Sequence, residues 1–134
     1  MKIAHIGIAV KDLEKALTFY RDVLGLKAST PQVLKEQQVK VAFMPLGETK
    51  LELLEPTHPE SPVARFLEER GEGIHHLAVE VADIEAKLKE IEASGARLID
   101  KTPRQGAGGA RIAFLHPKSA SGVLLELCQY HQAP

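Results

Sequence analysis

Four residues of types that bind metal ions, two histidines and two glutamates, stand at matching positions of this chain. Segment 76–83 repeats the apolar pattern of segment 5–12, and this alignment places His76 on His5. Glu52 and Glu126 correspond after a three-residue slip, at an offset of 74 instead of the 71 that separates the histidines, because each is the centre of a Leu-Glu-Leu triplet late in its copy. The chain is therefore one unit written twice, with one histidine and one glutamate in each copy.

Strand periodicity predicts that the histidine and the glutamate of each copy share a face of a sheet. His5 alternates with large apolar residues in the first predicted strand, so its side chain points away from them. Glu52 lies between two leucines of a later strand, so it also takes the face opposite to the apolar one. His76 and Glu126 repeat this arrangement in the second copy. If the apolar faces pack against helices, all four side chains lie on the other side of the sheet.

Imidazoles and carboxylates on one face indicate a metal site. His5, Glu52, His76 and Glu126 are predicted to hold one divalent ion such as Zn²⁺, Co²⁺, Ni²⁺ or Mn²⁺, with two octahedral positions left for water or substrate. A single strand histidine is more often a hydrogen-bonded, half-buried residue without a metal. Four such residues related by one repeat favour the metal, because a buried glutamate without a partner is too costly to occur twice.

Length and composition predict one domain in which two halves share a sheet. A chain of 134 residues with 44% hydrophobic content can bury one core, whereas two separate domains would be too small. Module 1 is predicted at about 1–56 and module 2 at about 73–130, within a single domain over 1–134. Helices are expected over 12–24, from about 62 to 70 and from 83 to about 94, each with a capping residue before it and a glycine after it. A short strand is expected at 97–100.

Charge and cysteine usage restrict the partners and the compartment. The net charge is −1 with both signs interspersed, so neither nucleic acid nor a membrane is an expected partner. The single Cys128 excludes an intramolecular disulfide and suits a reducing compartment. Because the first strand is expected almost at Met1, no signal peptide is predicted, and the expected location is cytoplasmic.

Glu36 is an acid that the repeat does not duplicate, because the corresponding position of the second copy is Ala107. A residue outside the symmetry is a candidate for chemistry, although composition alone favours a solvated loop glutamate. His75 lies one residue out of register with His5, so its side chain is expected to point away from the metal and to play a structural part.

The span from His5 to Glu126 resembles the vicinal oxygen chelate superfamily, also described as the glyoxalase, bleomycin resistance and dioxygenase superfamily. Within it, five segments are similar to those of the methylmalonyl-CoA epimerases: 36–39 (EQQV), 47–56 (GETKLELLEP), 61–67 (SPVARFL), 73–81 (GIHHLAVEV) and 114–118 (FLHPK). The resemblance implies an α+β fold, in which two tandem βαβββ modules form one strongly curved, open-barrel-like mixed sheet with helices on its outer face.

The resemblance also implies a reaction. An epimerase of this family interconverts the 2R and 2S forms of methylmalonyl-CoA by removing and returning the α-proton through a metal-stabilised enolate. Glu36 matches the acid that acts as the base on one face, and Glu126 is the best candidate for the proton donor on the other. The implied cofactor is one divalent ion, with Co²⁺ favoured, and the implied partner is an acyl-CoA substrate. A homodimer is expected as well, because a curved sheet with exposed edges favours self-association.

Two other functions remain open at this point. A glyoxalase I-like lactoylglutathione lyase also abstracts a proton beside a metal-bound carbonyl, and some of these enzymes use the same His, Glu, His, Glu ligands. The superfamily also includes metal-free proteins that sequester drugs, although these generally lack the full ligand set.

Overall fold

The computed structural model describes residues 1–130, which form eight strands, three α-helices, a π-helical turn and two short 3₁₀ helices, Ala107–Gly109 and Pro117–Ser119. The strands are β1 (Lys2–Ala9), β2 (Gln32–Leu34), β3 (Val39–Leu46), β4 (Thr49–Pro56), β5 (Gly73–Glu80), β6 (Arg104–Gln105), β7 (Arg111–Leu115) and β8 (Leu125–Gln129). The helices are α1 (Leu13–Leu17), followed directly by the π-helical turn Thr18–Val23, α2 (Pro62–Arg70) and α3 (Ile84–Ala93). The predicted order of a strand, a helix and three strands, written twice, is confirmed.

The strands form one mixed sheet in the order β2-β3-β4-β1-β5-β8-β7-β6. β1 pairs with β4 and β5 pairs with β8 in parallel, whereas β3 with β4 and β7 with β8 are antiparallel. The predicted α+β class with a mixed sheet is confirmed. In the part of the chain that the structure describes, no helix is both long and apolar enough to cross a membrane.

Contacts between Cα atoms divide the chain into two compact units. The N-terminal unit is His5–His75, and the C-terminal unit is Met1–Ala4 together with His76–Pro134. The single domain over 1–134 stays a prediction, and residues 131–134 of that range lie outside the described part.

Each unit has its own apolar core on the helix side of its strands. In the N-terminal unit the core consists of Val10, Leu13, Leu17, Ala42, Met44 and Leu53. In the C-terminal unit it consists of Val81, Ile84, Leu88, Ala113, Leu115 and Leu127. The strand residues of these cores, Ala42, Met44 and Leu53 in one unit and Ala113, Leu115 and Leu127 in the other, share the face that meets the helices, so the opposite face is left for other side chains.

Helix starts follow the repeat as well. Asp12 and Asp83 are the N-caps of α1 and α3, and each accepts a bond from the amide three residues later. The amides of Leu13 and Ile84, the first residues of the two helices, each donate to a side chain near the end of a strand, Glu55 of β4 in one unit and Gln129 of β8 in the other. These bonds satisfy amides at the helix start that have no partner within the helix.

Two sequence predictions need correction. The helix expected over 12–24 starts after Asp12 and ends before Gly25, but its second half is π-helical, with the Leu24 amide bonded to the Phe19 carbonyl. The wider turn lets Tyr20 pack against the core. The strand expected at 97–100 is reduced to one bridge between Leu98 and Leu115, because two successive amides at 99 and 100 donate to the same Phe114 carbonyl and interrupt the ladder.

Candidate functional site

His5 and Glu52 form a buried pair in the N-terminal unit. β1 and β4 run in parallel with Gly7 beside Glu52, and His5, two residues before Gly7, lies on the same face as this glutamate. Nε2 of His5 is 3.4 Å from Oε1 of Glu52, and the side chains are only 7% and 6% exposed. The shared face that strand parity predicted is therefore present in the structure.

His76 and Glu126 form the matching pair in the C-terminal unit. β5 and β8 run in parallel with Ala78 beside Glu126, and His76 precedes Ala78 by two residues. Nε2 of His76 is 3.3 Å from Oε1 of Glu126, and both residues are buried. The two units therefore have the same parallel strand pairing, the same register between histidine and glutamate, and nearly the same distance between Nε2 and Oε1.

The donor atoms of each pair fit a divalent ion. A direct N–H···O bond between charged groups is usually about 2.7–2.9 Å long, which is shorter than the 3.3–3.4 Å seen here. Two atoms that each lie about 2.1 Å from one ion, at tetrahedral or octahedral angles, are about 3.0–3.4 Å apart. His5, Glu52 and His76 are buried, and each has one side-chain atom that could bind a metal ion. Glu126 does not belong to this group of three, but it is buried and 3.3 Å from His76.

Beside each pair lies a phenylalanine that is not among the site residues predicted from the sequence. Phe43 lies opposite Glu52 in the β3–β4 ladder, and its ring meets that of His5 at 5.7 Å and 77°. Phe114 lies opposite Glu126 in the β7–β8 ladder, and its ring meets that of His76 at 5.7 Å and 85°. The alignment that places His76 on His5 also places Phe114 on Phe43, so the repeat was the signal that could have found them.

A cation lies over each of these rings. Nζ of Lys50 is 5.7 Å from the centre of Phe43, and the guanidinium carbon of Arg104 is 5.6 Å from the centre of Phe114. Arg104 is also paired with Asp100 at 3.4 Å. Each unit therefore has a cation over the face of its phenylalanine and an imidazole nearly perpendicular to that ring, beside its glutamate.

The structure places Glu36 outside both pairs. It is exposed in the four-residue turn between β2 and β3. That turn belongs to the N-terminal unit and ends at Gln38, which has a positive φ of 56°. An exposed side chain in a turn can reach a ligand in solvent, which is compatible with a residue that acts on a bound substrate.

His75 and Cys128 have packing contacts. The His75 ring meets Phe66 of α2 at 5.1 Å and 80°, in line with a structural part. Cys128 is buried in a small cluster with Ala4, Ala78, Ala110 and Ile112, and its thiol donates to the Val79 carbonyl.

Comparison with known proteins agrees with this architecture. A family model described as the glyoxalase/bleomycin resistance protein/dioxygenase superfamily matches residues 4–114. The ethylmalonyl-CoA/methylmalonyl-CoA epimerase of Cereibacter sphaeroides is 43% identical over 96% of this chain and 97% of its own. The mitochondrial methylmalonyl-CoA epimerase of Mus musculus is 43% identical over 96% of this chain and 72% of its own.

Solved structures and more distant relatives complete the comparison. A variant of the Streptomyces coelicolor methylmalonyl-CoA epimerase in complex with 2-nitronate-propionyl-CoA superposes with a TM-score of 0.94 at 39% identity, covering 100% of this chain and 99% of that one. A "Probable lactoylglutathione lyase" of Vibrio parahaemolyticus is 30% identical over 98% of this chain and 93% of its own. The chain therefore belongs to the glyoxalase/bleomycin resistance protein/dioxygenase superfamily, and within it to the methylmalonyl-CoA epimerase family.

Proposed function

We propose that this protein is a metal-dependent epimerase that interconverts the 2R and 2S forms of methylmalonyl-CoA. The observation that carries the proposal is the repeated pair of a buried histidine and a buried glutamate, in a chain that is 43% identical to curated epimerases over nearly its full length. The lactoylglutathione lyase relative is more distant, at 30% identity.

The two pairs together are proposed to bind one divalent ion through His5, Glu52, His76 and Glu126. Two carboxylates and two neutral imidazoles would make the site formally neutral once a doubly charged ion is bound. Co²⁺ is the favoured ion, and Zn²⁺, Ni²⁺ and Mn²⁺ suit the same donors. When bound, the ion stabilises the negative charge that develops on the thioester oxygen as the α-proton leaves.

The residues of the chain would move the proton. Glu36 accepts the α-proton on one face of the substrate, and Glu126 is the proposed donor on the opposite face, so the two together invert the configuration of the α-carbon. For this step Glu126 would enter as a neutral acid and leave as a carboxylate. Exchange with solvent would then remove the proton from Glu36 and return one to Glu126 before the next turnover in the same direction. Burial of the two pairs keeps water from the charged atoms, and this strengthens their interaction with the substrate. Glu36 is exposed, so we propose that substrate binding brings the α-hydrogen to it.

Elemental analysis and a comparison of substrates test this function. We expect about one equivalent of divalent metal per chain, and faster turnover of methylmalonyl-CoA than of the methylglyoxal–glutathione adduct. Ethylmalonyl-CoA is assayed beside methylmalonyl-CoA as a second acyl-CoA substrate. Preference for the glutathione adduct would replace the proposal with the lyase, whereas protein that holds no metal and turns over neither substrate would favour a drug-binding role.

A homodimer in the cytoplasm is the proposed state of the protein. Apolar side chains exposed on and after the π-helical turn support self-association, since Phe19, Val23 and Leu24 are 53%, 72% and 55% exposed. Sedimentation velocity should give about twice the 14.7 kDa chain mass. A monomer over the micromolar range would contradict the dimer, and fractionation of the source cells tests the location.

A further inference from the structure

We propose that Phe43 and Phe114 are positioning residues that hold the rings of His5 and His76 in the orientation needed to bind the metal. This inference rests on the proposed metal site. It adds to that site a pair of side chains that offer no ligand atom. The ligands would be held by their aromatic neighbours as well as by the backbone.

The position of Phe43 in its strand separates it from the helix-side core. Its neighbours Ala42 and Met44 are fully buried in that core, so strand alternation turns Phe43 to the opposite face, where it is half-buried. There it stands directly across the ladder from Glu52 and meets the His5 ring nearly at right angles. A single side chain thus borders both members of the pair.

Phe114 has the same relations in the other unit. Ala113 and Leu115 belong to the helix-side core, and Phe114 points the other way, toward Glu126 and the His76 ring. It also borders the small cluster around Ala78. The ring centres are 5.7 Å apart in both units, and the angles between ring planes are 77° and 85°.

The repeat retains the aromatic ring while neighbouring core residues change. Val41 and Met44 of β3 correspond to Ile112 and Leu115 of β7, so these buried positions accept different apolar residues, whereas the core alanine and the phenylalanine are the same in both copies. The alanine has no side chain beyond Cβ, so the phenylalanine is the large side chain that both copies retain. An edge-to-face contact with an imidazole requires a flat ring at this position.

The physical effect is restriction of the imidazole. A neutral imidazole can rotate about its bond to Cβ, and only one orientation aims Nε2 at the glutamate oxygen as seen here. A perpendicular ring at van der Waals distance blocks the other orientations. The cations Lys50 and Arg104 lie over the phenylalanine rings and limit their movement in turn.

The test replaces each ring by an apolar side chain of smaller area and measures metal binding. We expect Phe43→Leu and Phe114→Leu each to weaken Co²⁺ affinity by about 10-fold to 100-fold, as for other residues that orient metal ligands. We also expect the visible absorption bands of the Co²⁺ protein to shift. Phe43→Tyr keeps a ring against His5, so its Co²⁺ affinity and absorption bands should lie close to those of the unchanged protein.

Phe66 provides a matched control. It is half-buried, meets His75 edge-to-face and has Arg70 over its ring at 5.8 Å. Because Phe66 and His75 lie outside the His5–Glu52 and His76–Glu126 pairs, Phe66→Leu should lower the melting temperature to an extent comparable with the site variants, with no change in Co²⁺ affinity or spectrum.

The outcomes separate this inference from the proposed function. Unchanged Co²⁺ affinity and spectrum in both leucine variants would overturn the positioning role while leaving the epimerase proposal intact. If a leucine variant does not fold, Phe43→Met and Phe114→Met provide the same comparison with a longer, more adaptable side chain. If the unchanged protein binds no Co²⁺, the metal site and the positioning role both fail.

Discussion

Glu36 is exposed, and no acidic residue corresponds to it in the second copy of the repeat. The proposed reaction assigns it the removal of the α-proton, so Glu36→Gln should leave folding and metal content unchanged. Exchange of the substrate α-hydrogen with solvent deuterium, followed by proton NMR, should slow by roughly 100-fold or more, as is typical for loss of a general base. Glu48→Gln, at another exposed turn glutamate, is the matched control. Exchange at the original rate in the Glu36 variant would remove Glu36 from the mechanism.

Tyr130 is a single residue whose ionisation is expected to make the free energy of unfolding depend on pH. Burial raises the pKa of its hydroxyl above the ordinary value, and the neighbouring Cys128, Glu126 and Glu80 add to the shift. An unfolded tyrosine loses its proton near pH 10, so above this pH the folded chain retains a proton that the unfolded chain has lost. The free energy of unfolding should therefore fall as the pH rises above about 10.

The measurement for Tyr130 is urea unfolding at pH 8 and at pH 11. Tyr130→Phe cannot titrate, so its stability should fall less between these two values than that of the unchanged protein. Tyr20→Phe, at the other tyrosine of the chain, is the control. An equal loss of stability in the Tyr130 and Tyr20 variants would show that another group causes the alkaline decline.

At the scale of the element, the repeated start of α1 and α3 links helix formation to the parallel strands. Asp83 accepts a bond from the Ala86 amide at 3.1 Å, while the side chain of Gln129 satisfies the Ile84 amide. Asp83→Ala should lower the free energy of unfolding by about 1 kcal/mol, because one amide of the first turn loses its partner. Urea denaturation measures this loss. Asp83→Ser retains a capping oxygen, and a serine variant as unstable as the alanine variant would contradict the capping role.

At the scale of the whole molecule, the proposed ion takes ligands from both His–Glu pairs and so couples metal binding to overall stability. Saturation at about 100 times the dissociation constant adds about 2.7 kcal/mol, which corresponds to roughly 10 °C in melting temperature for a chain of this size. Thermal unfolding after chelation and after Co²⁺ addition should show this difference. His76→Gln should abolish the increase, and an unchanged increase in that variant would contradict ligation by His76.

The sequence by itself predicted the two modules, the helix caps and the His–Glu pairs. These features depend on local rules: alternation along a strand assigns His5 and Glu52 to one face, and the internal repeat extends the assignment to the second copy. The capping aspartates and the closing glycines act within one turn of the chain, so their effect could also be read directly.

Only the tertiary structure decided which side chains surround the pairs. Phe43 reaches His5 because β4 lies between β3 and β1 and sets their register, and no local pattern specifies that alignment. The π-helical turn after α1 accompanies packing of Tyr20 against the core, and the loss of the strand at 97–100 accompanies bonds to Phe114, and both sets of contacts involve residues distant in sequence. Periodicity assigns a residue to a face, but contacts across strands determine its neighbours.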